Sequence, residues 1–352
     1  MRKGNLEISL FSLRSASERE YMALNAFKNI LRSEILPDDS PIAYEEHVQE
    51  WHASPEFIKE SNWAAWSNSR EQIAAFGEAR VYETGDNEHL MEFYIEVLPE
   101  YRQQGLGRQL LRLIVEFSHD HHRHLMISSS NNKVPAGGEF LSRSSARKGL
   151  ETHTNQLRIA DLDHRVIQRW AKQSSHLSSE YDLGLWENYF PAERLDEIAR
   201  LYQELANDQP RDTLEMEDMN FTPEILRQTE RNVLAGGKKR WLLYVTDKID
   251  NDIVGLTEVF WSPARPTVLN QGFTGVFSNY RNRGLGRWLK AEMLTKIVRE
   301  LPEVEVIRTS NALSNASMVK INSEIGFKPY TSWAIWQVEI ELVEKYLTLK
   351  TM

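Results

Sequence analysis

The sequence predicts an α/β fold built from two similar domains, and three observations support this prediction. The ten residues Tyr101–Leu110 (YRQQGLGRQL) return as Tyr280–Leu289 (YRNRGLGRWL), 179 positions later in a chain of 352 residues. Each copy follows a β-rich run and begins a long amphipathic stretch, which indicates a strand, a glycine turn and a helix start. The chain length also favours two domains, in agreement with the offset.

The hydrophobic pattern predicts the elements of the first half. Residues 6–13 alternate as a strand does, and Ser15 or Ser17 can cap the helix that follows. Ser54-Pro55-Glu56 has the composition of a second helix start, with a cap residue, a proline in the first turn and an acid that complements the helix dipole. Further elements are expected as strands at 74–82 and 90–98, a helix at 106–117 and a strand at 125–129.

The second half repeats this order. A strand is expected at 181–186, and Thr222-Pro223-Glu224 is another helix start. Strands are then expected at 240–246, 253–261 and 272–277, followed by a helix at 285–301 and a strand at 304–309. Residues 161–176 indicate a helix between the halves. We therefore expect a first domain at 1–160, a linking helix at 161–178 and a second domain at 179–352. Because no low-complexity tract separates them, a close-packed tandem is expected.

Composition narrows the classes of function. Hydrophobic residues make up 41% and charged residues 26%, as in soluble globular proteins, and no apolar run approaches the roughly 20 residues that span a bilayer. Residues 1–7 lack an apolar signal core, so we expect a cytoplasmic protein without a membrane partner. The net charge of -9 argues against a broad nucleic-acid surface. The absence of cysteine excludes disulfides, thiolate metal ligands and covalent thiol catalysis.

Both glycine turns are candidate anion sites. Glycines at 105, 107, 284 and 286 permit close approach of the backbone, and free N–H groups at a helix start attract phosphate together with the helix dipole. A Rossmann or P-loop site is a poor alternative, because neither turn has a third glycine at the Rossmann spacing or a following Lys-Ser/Thr. The repeat therefore predicts two similar sites for a phosphate-bearing ligand.

The Arg-x-x-Gly-x-Gly turn, placed between a strand and a helix, resembles the acyl-coenzyme A loop of the GNAT acyltransferase superfamily. Val97–Arg102 is similar to the strand-to-loop segment of that family. Asn311–Met318 and Asn322–Phe327 resemble its downstream segment, in which an Asn-containing turn precedes a helix that closes with Gly-Phe. Two such units in one chain resemble tandem GNAT proteins of the mycothiol synthase type. The resemblance covers nearly the whole chain and is fuller in the second half.

The resemblance implies a fold and an activity. Each domain would be a mixed, mostly antiparallel twisted sheet with flanking helices and a splayed central strand pair. The activity would be transfer of an acetyl group from acetyl-coenzyme A to an amine of a small molecule or peptide, by direct attack in a ternary complex. The pantetheine arm would lie between the splayed strands, and a strand N–H near Val97 or Val276 would polarise the thioester carbonyl.

The resemblance also implies which residues contact the cofactor. Asn315 matches the family's Asn that contacts the pantetheine arm. The expected contacts in the second half are Val276, Phe277, Arg281, Asn282, Arg283, Gly284, Leu285, Gly286, Arg287, Asn311 and Asn315. Those in the first half are Val97, Arg102, Gln103, Gln104, Gly105, Leu106, Gly107 and Arg108. We expect the second half to be the catalytic one, with the first half binding cofactor without turnover or serving as a scaffold.

The candidates for the catalytic acid and base match the family less well than the cofactor loop does. Asn322 stands where many family members place the Tyr that protonates the leaving thiolate, and an amide is a poor acid. Glu258 is the candidate base of the second half, with Glu92 and Glu96 as counterparts; a solvent-facing strand residue is the alternative for each. The missing Tyr supports a competing function, a non-catalytic acyl-coenzyme A binding or sensing protein.

Two further features leave the prediction unchanged. The run His119–His124 suggests a metal site, but it fits a solvated helix end, where His and Arg suit the negative pole, so no metal is expected. The oligomeric state is left open between monomer and homodimer, since a tandem chain can supply the contacts that single-domain relatives obtain by dimerising.

Overall fold

The computed structural model describes residues 6–67 and 70–349. The strands in these ranges are β1 (Glu7–Phe11), β2 (Ile58–Ser67), β3 (Gln72–Tyr82), β4 (Leu90–Val97), β5 (Leu125–Asn131), β6 (Arg147–Arg158), β7 (Tyr181–Glu187), β8 (Lys239–Asp247), β9 (Ile253–Ser262), β10 (Arg265–Val276), β11 (Val306–Ala312) and β12 (Lys328–Glu339). The helices are α1 (Glu18–Ile35), α2 (Tyr44–His52), α3 (Leu106–Asp120), α4 (Pro135–Arg143), α5 (His164–Gln173), α6 (Leu195–Asn207), α7 (Pro223–Val233), α8 (Leu285–Glu300), α9 (Ala316–Ile325) and α10 (Ile340–Thr348). None of these helices is long and apolar enough to cross a membrane.

The predicted α/β class is confirmed, and most predicted elements occur within a few residues of their expected positions. Ser17 caps α1 through a capping box with Glu20, and the Thr222 side chain caps α7. The predicted helix start at residues 54–56 is wrong. There the Ile58 N–H donates to the Pro55 carbonyl, closing a turn that leads directly into β2. The elements β2, β6, β12, α2, α4, α6 and α10 were not predicted.

The described residues divide into two compact units. The first unit comes from the ranges 1–151, 211–218 and 332–352, and the second from 152–210 and 219–331. This division differs from the expected boundaries because each unit takes its last strand from the other half of the sequence. Helix α5, expected as a linker, contributes to the core of the second unit through Ile167 and Trp170.

The sheet of the first unit is mostly antiparallel. β1, β2, β3 and β4 pair in that order, β4 pairs with β5 in parallel, and residues 333–339 of β12 pair antiparallel with β5. Leu110 of α3 packs against Gly77 on one face of the sheet, and the same core contains Leu24 and Phe27 of α1. The N-terminal residues of α3 are thereby held at the end of β4.

The second unit has the same strand order. β7, β8, β9 and β10 pair antiparallel in sequence, β10 pairs with β11 in parallel, and residues 152–158 of β6 pair antiparallel with β11. Trp288, Leu289 and Ile297 of α8 lie in its main core with residues of α5, and α6 packs with α7 in a second cluster. The mostly antiparallel sheet with flanking helices is confirmed in both units.

Candidate functional site

Each unit contains a parallel strand pair whose two strands separate along their length. β4 pairs with β5 at only three positions, Leu90 to Glu92, although β4 continues to Val97. β10 pairs with β11 only from Val268 to Asn270, although β10 continues to Val276. The expected splayed pair is therefore present in both units, and it leaves the far ends of β4 and β10 without a parallel neighbour among the described residues.

The two glycine loops have matching backbone conformations. Gln103 and Asn282 have φ of 58° and 62°, and Gly105 and Gly284, at the N-caps of α3 and α8, have φ of 85° and 92°. No side chain caps either helix in the described structure. Because the first N–H groups of a helix have no intrahelical acceptor, these uncapped helix starts are suited to bind an anion.

The arginines of the second loop are held by protein partners. The Arg281 Nε donates to the Val276 carbonyl, and its guanidinium pairs with Asp208. Arg283 donates to the Tyr181 hydroxyl at 2.8 Å, and Arg287 pairs with Glu324 at 3.1 Å. These side chains brace the loop, which leaves the backbone N–H groups at the helix start as its donors for an anion.

The arginines of the first loop are held as well. Arg102 pairs with Glu34 through two guanidinium nitrogens and donates to the Val97 carbonyl, as Arg281 does to Val276. Arg108 donates to the Tyr346 and Leu347 carbonyls at 2.9 Å. Gln104 donates to the Glu100 carbonyl.

The loops differ in what covers them. A Cβ placed on Gly286 would meet no described atom within 4 Å. A Cβ placed on Gly107 would lie 3.3 Å from the Phe140 ring and 3.7 Å from the Ile95 side chain. The Phe140 ring in turn contacts Tyr346 edge-on. The loops therefore differ at their second glycine, which is open in the second loop and lies against an aromatic ring in the first. At the first glycine neither is crowded, since a Cβ on Gly105 would meet no described atom within 4 Å and one on Gly284 would lie 3.9 Å from Leu177.

A cavity of about 600 Å³ opens in the second unit where β10 and β11 begin to separate. Its aromatic wall consists of Phe190, Tyr202, Phe221, Phe260 and Phe273. Its polar wall includes Glu230, Arg240, Glu258, Gln271, Lys290, Arg308, Asn311 and Asn315. An apolar enclosure with a few convergent polar groups is the usual form of a small-molecule site.

Glu258 lies in the wall of this cavity. Its side chain is buried, Oε2 accepts a hydrogen bond from the Tyr202 hydroxyl at 2.5 Å, and Oε1 accepts one from the Phe273 N–H at 3.2 Å. Burial raises the pKa of the Glu258 carboxyl, against the opposing effects of Tyr202 and Arg240. The structure therefore excludes the solvent-facing alternative for Glu258 and shows an oriented, desolvated carboxyl group.

A buried charge cluster lies beside Glu258 and was not predicted. The Glu230 carboxylate accepts hydrogen bonds from Arg240 at 2.7 Å, from Arg227 and from the Phe190 N–H. Arg240 is 3% exposed and stacks on the Phe190 ring at 3.6 Å. The available signal was Arg240 itself, a charged residue at the start of the apolar run that forms β8.

Asn322, the residue in the expected place of the acid, belongs to a buried amide network. Its Nδ2 donates to Asn311 Oδ1 at 2.8 Å, and its Oδ1 accepts a hydrogen bond from Lys290 Nζ at 2.9 Å. The same amine donates to Gln271 Oε1 at 3.1 Å. Burial lowers the pKa of the Lys290 amine from 10.5 to about 7. Lys290 was not predicted. The repeat aligns it with Leu111, and this apolar counterpart was a signal that the position is buried.

Some of the other residues predicted to contact the cofactor line the cavity, and some are buried in the cores. Asn311 and Asn315 line the cavity, and Asn315 also caps α9. The Phe277 N–H donates to the Val254 carbonyl and is not free for a ligand. The side chains of Leu106, Leu285 and Val276 are buried in the cores, so only their backbones can contact a cofactor.

The residue of the first unit that corresponds to Glu258 is neither Glu92 nor Glu96. In the second unit Val276 pairs with Gly255, and Glu258 is the third residue after Gly255. In the first unit Val97 pairs with Ala75, and the third residue after Ala75 is Glu78. Glu92 instead accepts a hydrogen bond from the Tyr82 hydroxyl, and Glu96 pairs with Lys28. The counterpart of Glu258 is therefore Glu78, which only the strand register reveals.

The histidine run makes protein contacts. His121 stacks on Phe117 with ring centroids 4.0 Å apart, and His119 contacts Glu344 at 2.8 Å. Over residues 6–67 and 70–349, no group of three or more His, Cys, Asp or Glu side chains is placed to hold a metal ion.

Comparisons with known proteins agree with this geometry. A model of the acetyltransferase (GNAT) family matches residues 24–134, which run from α1 past β5 and include the first glycine loop. The match therefore lies in the first half of the chain, where the sequence motifs resemble those of the family less fully than in the second half. No curated protein matches the sequence.

Solved structures share the whole fold. A tandem GNAT protein from the clavulanic acid biosynthesis pathway superposes with a TM-score of 0.77 at 19% identity, over 96% of this chain and 99% of that one. A GCN5-related N-acetyltransferase from Sphaerobacter thermophilus gives a TM-score of 0.63 at 14% identity, over 95% and 96% of the two chains. The chain thus contains a domain of the GNAT acetyltransferase family and has, along nearly its whole length, the fold of a tandem GNAT protein.

Proposed function

We propose that this protein is an N-acyltransferase that moves an acetyl group from acetyl-coenzyme A to an amine of a small molecule or peptide. We place the reaction in the second unit. The observation that carries the proposal is the position of the buried Glu258 carboxyl in a cavity that begins where β10 and β11 separate. The same strand, β10, leads into the open glycine loop.

The residues present fit the cofactor. The N–H groups from Asn282 to Gly286, at the positive end of α8, would hold the pyrophosphate. Residues 271–276 of β10, which lack a parallel partner in the described structure, would pair with the pantetheine arm as an added strand does. Asn311 and Asn315 line the cavity next to that path. Acetyl-coenzyme A supplies an activated acyl group when bound.

The cavity residues fit direct attack by an amine. Glu258 would accept the proton that the attacking nitrogen must lose, held in place by the Tyr202 hydroxyl and the Phe273 N–H. The aromatic wall would exclude water and orient the acceptor. Because the chain has no cysteine, a thioester acyl-enzyme is not available, and transfer within a ternary complex requires none.

The test combines titration calorimetry with a thiol-release assay. We expect one equivalent of acetyl-coenzyme A per chain, since the Phe140 ring lies against Gly107 of the first loop, and thiol release with at least one amine of a broad panel. Binding without thiol release from any amine would favour the alternative, an acyl-coenzyme A binding or sensing protein, which Asn322 in place of Tyr supports. Absence of binding would contradict both functions.

A further inference from the structure

Lys290 has an unusual position at the fork of the second splayed pair. It lies on α8, is 2% exposed, and lines the cavity. Its amine donates to the side chain of Gln271. The last residue of β10 that pairs in parallel with β11 is Asn270, opposite Arg308, and Gln271 is the next residue. Through Asn322 it is also linked to Asn311 near the end of β11. The amine is thus connected to both strands where they separate.

Among the residues that the structure describes, the amine is bound by neutral groups. Gln271 Oε1 and Asn322 Oδ1 accept its two hydrogen bonds in the described structure. The orientation of each amide is set by its other end, since Gln271 Nε2 donates to Thr274 and Asn322 Nδ2 donates to Asn311. An ammonium group has three N–H donors, so one is left beyond these two amides, on an amine that lines the cavity and also lies 5.8 Å from the centre of the Phe327 ring.

Charged groups on the surrounding elements are engaged elsewhere. Glu258 on β9 is bound by Tyr202 of α6, and Glu230 on α7 is bound by Arg240 of β8. Arg308 on β11 donates to Gln156 of β6, and Glu324 on α9 pairs with Arg287 of α8 itself. Burial, rather than a neighbouring charge, therefore accounts for the lowered pKa of the Lys290 amine.

The first unit provides an internal comparison. The repeat aligns Lys290 with Leu111 of α3, and Leu111 is fully buried in an apolar core. The position therefore accepts an aliphatic side chain in this fold. A lysine there costs desolvation without gaining an ion pair, which is the pattern expected of a functional group rather than a stabilising one.

We propose that Lys290 is the proton donor to the sulfur of coenzyme A in the second unit, and that Asn322 positions it. This inference rests on the proposed function for the location of the sulfur. It assigns to a lysine of α8 the role that the amide of Asn322 cannot perform. Asn322 and Gln271 hold the amine between the separating strands, and the cavity provides access to it.

The transfer step balances with these groups. The nitrogen lone pair of the acceptor forms the new C–N bond, and the C–S bond breaks with its electron pair remaining on sulfur. The nitrogen gives one proton to Glu258, and the sulfur takes one proton from the Lys290 ammonium. Glu258 then releases its proton to solvent, and Lys290 takes a proton from solvent. The net reaction converts a thioester and an amine into an amide and a thiol.

The first test measures the bound thiol and needs no acceptor. Coenzyme A is bound to the full-length protein, and the fraction of its thiol present as thiolate is read from the ultraviolet absorbance at or below about pH 7, where Lys290 keeps its proton. A Lys290 ammonium next to the sulfur is expected to raise this fraction above that of free coenzyme A at the same pH. Lys290→Met is expected to remove the increase, whereas Lys296→Met, on the same helix but paired with Glu300, is the matched control and leaves it unchanged.

The second test measures the rate against pH with the amine that proves to be the acceptor. The wild-type kcat is expected to fall above about pH 7, as Lys290 loses its proton. Lys290→Met is expected to lower kcat by roughly 10²-fold or more with little change in KM for acetyl-coenzyme A. Lys290→Arg keeps the charge at every pH but cannot give up its proton, so kcat is expected to be low and the fall near neutral pH is expected to disappear.

The outcomes separate this inference from the proposed function. An unchanged thiolate fraction in Lys290→Met, or a retained fall in kcat near neutral pH in a folded Lys290→Arg protein, overturns the role of Lys290 even if acetyl transfer is found. A raised thiolate fraction without transfer to any amine contradicts the proposed function and supports the placement of Lys290 at the sulfur. If Lys290→Met does not fold, the wild-type thiolate fraction and Lys290→Arg decide.

Discussion

Glu258 of β9 and Glu78 of β3 occupy the same register position in the sheets of their units. Each is the third residue after the strand partner of Val276 or Val97, and both side chains are buried. Glu258 lines a cavity beside Tyr202, whereas Glu78 lies against Arg80 within its sheet. The duplicated fold thus places two carboxyl groups alike and gives them different surroundings.

Glu258→Gln is expected to lower acetyl transfer by roughly 10²- to 10⁴-fold, the usual contribution of a general base. The amide keeps the size of the side chain, so binding of acetyl-coenzyme A by calorimetry should be unchanged. Glu78→Gln is the matched control and should retain the wild-type rate. Equal losses in both variants would contradict a base in the second unit alone.

Gly286→Asp is expected to abolish binding of acetyl-coenzyme A to the second unit. Gly286 is the second residue of α8 and has open space at its Cβ, so the substitution is tolerated sterically, and an acid in the first turn complements the helix dipole. Its charge would instead repel the pyrophosphate. Calorimetry checks this, with Gly286→Ala as the uncharged control; full binding by a folded Gly286→Asp protein would remove the cofactor from this loop.

The free energy of unfolding is expected to carry a pH dependence from Lys290. The unfolded chain keeps this lysine protonated up to about 10.5, whereas the folded protein releases the proton from about pH 7. Between these values the unfolded state binds more protons, so stability rises with pH, at most by about 1.4 kcal/mol per pH unit from this residue. Denaturant titrations at several pH values should show wild type gaining on Lys290→Met as the pH increases; a constant difference would be inconsistent with a lowered pKa.

Arg240→Met is expected to destabilise the second unit by about 3 kcal/mol. Removing one partner of a buried ion pair leaves charge without compensation, and Glu230 would retain only Arg227 and the Phe190 N–H. Arg299→Met removes an exposed guanidinium from Glu300 and should change stability by less than about 1 kcal/mol. Chemical denaturation of both variants checks the contrast, and similar small effects would show that the Glu230 cluster contributes little.

Local signals account for what could be predicted of the site. The glycine loops were evident because their backbone conformation requires glycine at residues 105 and 284, and the repeat doubled the signal. Glu258 was found by its place on a strand near the loop. Glu78 was missed because Val97 follows it by 19 residues, whereas Val276 follows Glu258 by 18, so the offset between the loops aligns Glu258 with Ala79 instead. Lys290 was missed because a lysine on an amphipathic helix usually faces solvent.

The number of repeats, the α/β class and the two glycine loops are local properties of the sequence, because they depend on periodicity and on the conformational freedom of single residues. Three features depend on the folded chain: which strands complete each unit, that Phe140 lies against Gly107 while Gly286 is open, and that Lys290 is buried between the amides of Gln271 and Asn322. These features depend on contacts between residues far apart in the chain. Pairing of β5 with β12 and of β6 with β11 joins segments about 150 to 200 residues apart, and no local pattern encodes such a pairing.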